Sequence, residues 1–158
     1  MIRKLLLATV VSAGCTGAIA ADMKAEDAIR ARQSIMRVVG INFAPLAGMA
    51  QGKIPFDRNA FAANALRLES VWAMEPQRYF VPGSDKAVSG SKIAGFTDAR
   101  PAAWSKPADF KAAFDKNGKA IQALAAAARG GDQAAMSAAV GEVGKACKGC
   151  HDDFREKQ

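Results

Sequence analysis

Apolar residues recur every three or four positions along most of this chain, and strict alternation is scarce. That spacing is the signature of amphipathic helices rather than strands. Ile29, Met36, Val39, Phe43, Leu46 and Met49 fall close to a 3.6-residue period and predict a first helix over Ala25–Ala50. Glu26 and Asp27 suit its positive N-terminal end, and Pro45 inside it predicts a kink. The stretch 52–55, from Gly52 to Pro55, breaks the pattern. Asp57 then caps a second helix with Phe61, Leu66, Leu68 and Val71 facing inward. A connector over 75–104, rich in Gly, Ser and Pro, follows; a structureless run of that length is uncommon and often functional. Ser105 is placed to cap a third helix, with Pro107 in its first turn and Phe110, Phe114, Ile121 and Leu124 toward the core. Gly130-Gly131 ends it. Asp132 caps a fourth helix that carries Met136, Val140, Val143, Cys147 and Phe154. Four helices with short first and third connections predict an all-α fold, an antiparallel four-helix bundle.

Residues 1–20 stand apart from this pattern. Met1 to Lys4 form a short basic start, the run to Gly14 is mostly apolar, and Ala18-Ile19-Ala20 has the small-residue pattern of a cleavage site, so the segment reads as a secretory signal peptide. The run is short of the roughly 20 apolar residues a permanent span needs, which argues against a retained anchor. Lipid attachment at Cys15 is a further alternative; lipoprotein leaders usually carry Leu or Val where Ser12 stands. Cleavage near Ala20 leaves one domain over 21–158 and predicts the periplasm. The formal charge of the whole chain is +7, but its Lys and Arg are scattered. Without a dense basic run there is no case for nucleic acid, and no later segment is apolar enough to predict a membrane span.

The leader would take Cys15 with it. The other two of the three cysteines and the one histidine then lie together in Cys147-Lys148-Gly149-Cys150-His151. Structural zinc wants four ligands, and three are present. A redox pair of the thioredoxin kind belongs at a helix start in a βαβ setting, whereas this one lies deep in a C-terminal helix. A disulfide between positions three apart in a helix is awkward. Each of these also leaves His151 idle. C-x-x-C-H is the attachment signature for c-type haem. On a helix Cys147 and Cys150 are one turn apart and can both form thioethers with the porphyrin, while His151 rises beneath the iron.

At this point the chain resembles a known family. The strings AEDAIRARQSIM, AQGKIPFD, DARPAAW and VGKACKGCHDDFREK, with the haem signature near the C-terminus of a helical chain, resemble the class II cytochromes c, most of all cytochrome c prime. The resemblance implies one covalently bound haem c on the C-terminal helix, held by Cys147 and Cys150, with His151 as axial iron ligand. It implies haem contacts for Arg32, Gln33 and Asp98, a proximal-pocket place for Arg155, and distal-pocket places for Met36 and Phe80. On residue type alone, Arg32 and Gln33 read as solvent-exposed polar residues, Asp98 as a turn residue and Arg155 as a helix-end cation. Met36 and Phe80 read equally as core packing.

Met36 divides the functional readings. As a sixth ligand it makes a six-coordinate, low-spin electron carrier. Unbound, it leaves a five-coordinate iron open to small gases such as nitric oxide and carbon monoxide, and RQSIM and GKACKGCHDDFREK are closer to the cytochrome c prime form. The expected function is therefore a periplasmic mono-haem cytochrome that binds such gases, transfers single electrons, or both. Unidentified redox proteins and a second copy of the chain are its expected partners; the family pairs through its first two helices. Enzyme activity is not expected. Peroxidase chemistry wants a distal acid–base group, the only histidine is committed to the other side, and Arg32 is a poor substitute. A colourless helical module with a disulfide is the remaining alternative.

Overall fold

The structure, a computed structural model, describes residues 23–86 and 97–157. The expected leader, Cys15 and the middle of the connector (87–96) lie outside the described residues. Five helices are present among them: α1 (Ala25–Ala50), α2 (Arg58–Trp72), a short α3 (Ala102–Ser105), α4 (Pro107–Gly130) and α5 (Gln133–Phe154), with one 3-10 turn at Pro76–Tyr79.

Local chemistry sets most of the helix ends. The Asp57 carboxylate accepts from the Ala60 N–H at 2.9 Å, and the Asp132 carboxylate accepts from the Ala135 N–H at 2.7 Å. Each satisfies one of the donors a helix start leaves open. Gly131, with φ 76°, closes α4 in the left-handed conformation that glycine adopts freely. The helix α1 continues through Pro45, which has no N–H to give the carbonyl four residues back.

Two expectations are corrected. Ser105 does not cap α4: it ends α3, and Lys106 is the cap residue, with φ −125° and no side-chain cap bond. A residue preceding proline is pushed away from the helical region, so Pro107 itself sets the break one residue later. Leu66 does not face inward. It is exposed, and the buried stripe of α2 is Phe61, Ala65 and Leu68, one residue out of phase with it.

The four long helices pack as antiparallel neighbours. Phe110 of α4 meets Phe154 at the far end of α5, their ring centroids 5.1 Å apart. Trp72, at the end of α2, crosses α4 where Gly118 leaves room; a Cβ there would stand 3.1 Å from the indole nitrogen. The interior falls into two parts. Near the two short connections, Leu46, Phe61, Leu68, Ile121, Leu124, Met136 and Val143 form a sealed apolar core. Toward the other end an aromatic cluster of Phe110, Phe114 and Phe154, with Trp72, Phe80 and Trp104 packed on it, borders a cavity. Among the described residues, no helix is long and apolar enough to cross a membrane.

Candidate haem site

A cavity of about 500 Å³ opens between α1, α5 and the connector. All nine residues singled out from the sequence line it: Arg32, Gln33 and Met36 from α1, Phe80 and Asp98 from the connector, Cys147, Cys150 and His151 from α5, and Arg155 just past its end. The i, i+3, i+4 spacing of the last helix brings both sulfurs and the imidazole to one wall.

Cys147 and Cys150 form no disulfide with each other and lie half-buried against the sealed core and the aromatic cluster. Burial pushes their pKa values up. Cys150 reaches about 11, with Cys147 and Asp153 adding to the effect of burial. His151 is exposed at the wall; partial burial of its ring, and then the Arg155 charge, lower its pKa, with Asp152 opposing. A neutral imidazole is the form that ligates metal. The interior is walled by Phe43, Phe110, Phe114 and Phe154, while Arg32, Gln33, Thr97, Asp98 and Arg155 supply polar groups. A flat apolar macrocycle with carboxylates at one edge fits that division, and the donor set is the one c-type haem needs.

Arg32 is not the solvated residue its type implies; only 4 % of it is exposed. Its Nη1 donates to the Ser84 hydroxyl at 2.7 Å and the Tyr79 carbonyl at 3.4 Å, and its Nη2 to the Ser84 carbonyl and the Thr97 hydroxyl, both at 2.5 Å. The guanidinium also lies over the rings of Phe80 and Trp104, 4.9 Å and 5.5 Å from their centroids. Burial lowers its pKa to about 10, with Asp85 opposing, so it stays charged at neutral pH. One α1 side chain thus fastens the connector on both sides of 87–96 and holds Phe80 against the cavity. Trp104 completes this knot by donating from its indole nitrogen to the carbonyls of Phe80 and Val81, at 3.1 and 3.0 Å.

The other rim is built by backbone. The Glu156 N–H donates to the Asp98 carbonyl at 2.7 Å, and the Arg100 N–H to the Phe154 carbonyl at 2.9 Å. These bonds lay residues 98–100 along the end of α5 and bring Asp98 within 3.6 Å of the Arg155 guanidinium. The pair is partly exposed, where such contacts contribute about 0–1 kcal/mol; its role is to order the rim. Met36 is half-buried and packs against the aromatic cluster.

Ser84, Thr97 and Asn117 escaped the sequence reading. Asn117 was detectable as the one polar residue within the stripe Phe110, Phe114, Asn117, Ile121, Leu124. Ser84 and Thr97 carry no comparable local signal.

A helical bundle with this signature and this cavity on its last helix defines a c-type cytochrome of the bundle kind. The family profile described as Cytochrome C' matches residues 27–155. Cytochrome c' of Rubrivivax gelatinosus is 47% identical over 134 residues, covering 85% of this chain and 98% of that protein. Its crystal structure superposes with a TM-score of 0.76 at 45% identity, again over 85% and 98% of the two chains. Cytochrome c' of Cereibacter sphaeroides is 39% identical over 156 residues, 99% of each chain. A nitric oxide complex of a mutant cytochrome c prime from Alcaligenes xylosoxidans matches with a TM-score of 0.74 at 35% identity, over 85% and 98% of the two chains. The chain belongs to the cytochrome c' family and carries one covalently bound haem c.

Proposed function

We propose that this cytochrome works in the periplasm after loss of residues 1–20, holds its iron five-coordinate through His151, binds small uncharged gases such as nitric oxide and carbon monoxide, and passes single electrons without turning over a substrate. The haem supplies an iron that changes oxidation state by one electron and can take one further ligand. Cys147 and Cys150 would anchor it and His151 would offer a neutral imidazole, while Arg32, Gln33, Asp98 and Arg155 supply the polar part of the cavity lining.

The observation that carries the reading is the use made of Met36. Its half-buried side chain is packed against the aromatic cluster of Phe110, Phe114 and Phe154, which supports a role as wall, and with Phe80 it gives that side of the cavity an apolar lining. Such a lining favours small uncharged ligands and offers no acid–base group for peroxide chemistry. The Alcaligenes xylosoxidans relative has been crystallised, as variants, with nitric oxide and with carbon monoxide bound. Val38, Ile41, Ile54 and Leu66 leave apolar surface on and beside α1 and α2, which supports pairing with a second copy there.

Visible absorption and electron paramagnetic resonance of the ferric protein test the coordination. A high-spin signal is expected. A low-spin signal with a sulfur-to-iron band at the red end would make Met36 the sixth ligand and electron transfer the main function.

A further inference from the structure

Asn117 interrupts the apolar stripe of α4 and is only 2 % exposed. Its Nδ2 donates twice, to the Ala113 carbonyl on its own helix at 2.9 Å and across the helix pair to the Ala146 carbonyl at 3.2 Å. Because both partners are acceptors, the amide's orientation is fixed. Its Oδ1 is left buried with no hydrogen-bond partner. An unsatisfied buried acceptor is a net loss of stability, and an apolar residue of similar shape would avoid it. The fold therefore holds a side chain here that its stability alone does not favour.

What the asparagine adds is a directional bond between two helices. Apolar surfaces tolerate small slips past one another; a hydrogen bond to a single carbonyl does not, and buried polar residues are best attested in setting helix register. Asn42 and Asn64 show the contrast, since each donates to the carbonyl four residues back on its own helix. The carbonyl that Asn117 reaches is also well placed. Ala146 directly precedes Cys147, and in a regular helix its oxygen also accepts the N–H of Cys150. Asn117 itself lines the cavity.

We propose that Asn117 is a positioning residue: its bond to the Ala146 carbonyl fixes α5 against α4 at the turn bearing Cys147, Cys150 and His151, and so sets how the thioethers and the imidazole meet the haem. This rests on the haem site described above but not on the iron's coordination number.

The test uses the haem-loaded protein and two variants. Asn117→Leu removes both the bond and the orphaned acceptor. Asn117→Val removes the same groups with less side-chain volume, so an effect shared by both variants belongs to the lost bond and not to the fit of leucine. The expected result is that Asn117→Leu melts at or above the wild-type temperature, while both variants shift the reduction potential and broaden the ferric paramagnetic resonance signal. Loss of haem loading from a chain with wild-type helical circular dichroism is the strongest form of that result. A wild-type potential and spectrum in Asn117→Leu overturns the proposal. So does simple unfolding of both variants, which makes the role structural. The readout is a difference from wild type, so it can fail while the five-coordinate reading stands, and the reverse.

Discussion

Arg32 brings a charge into the interior and spreads it over hydroxyls, carbonyls and two aromatic faces. The forked shape of the guanidinium is what allows one residue to reach Ser84, Tyr79 and Thr97 together. Arg32→Lys keeps the charge and loses the fork. It is expected to lower unfolding free energy by about 2–3 kcal/mol, the scale of one buried hydrogen bond to a charged group, as measured by urea denaturation. The thiols give a pH dependence of known sign. Burial raises Cys147 and Cys150 above the ordinary value of 9.0, Cys150 to about 11. In the haem-free chain the folded state thus keeps protons that the unfolded state has released. Stability present below pH 9 is lost as pH rises toward about 11. The urea midpoint of haem-free protein should fall across that window, and Cys150→Ala should flatten the fall. At this scale, what the sequence disclosed was local. The cysteines and the histidine announce themselves because their partners are three and four residues away. The partners of Arg32 lie 47 to 65 residues away and that of Asn117 lies 29 away, and no spacing rule reaches so far.

Helix ends were legible for the same reason. An aspartate before an apolar stripe and a glycine after one act within a single turn, and Asp57, Asp132 and Gly131 behave as their types predict. Asp132→Ala is expected to destabilise the protein by about 1 kcal/mol, seen as a lower melting temperature. Leu66 misled because the true stripe passes through Ala65. A small residue contributes little to a hydrophobic period, so Leu66 outweighs Ala65 in the pattern. Ser105 misled because a four-residue helix stands in front of Pro107, and one turn is too short to leave a pattern. The connector gave no sign of its 3-10 turn or of its antiparallel bridge between Ala99 and Arg155; both depend on α1 and α5 being present to receive it.

In the molecule as a whole, packing and function occupy different ends. Leu124 is fully buried in the sealed core, and Leu124→Ala is expected to cost about 2–5 kcal/mol while leaving the ferric spectrum at its wild-type form. Calorimetry and absorption on the same sample check both halves of that statement. The bundle as a class was readable from helix count and connection length, because burying four amphipathic stripes against one another leaves few arrangements. The cavity was not readable. Its existence depends on Met36, Val39 and Phe43 being only half-buried, and a periodic apolar residue looks alike whether it meets a neighbour or a void. The division makes the protein resemble a clothes-peg, with Leu46, Leu68 and Val143 near the spring and Cys150 and Phe80 on the jaws. The jaws have fastenings of their own, Arg32 bonded to Ser84 and Thr97 on one side and Asp98 beside Arg155 on the other, so the spring can be weakened while the grip keeps its form.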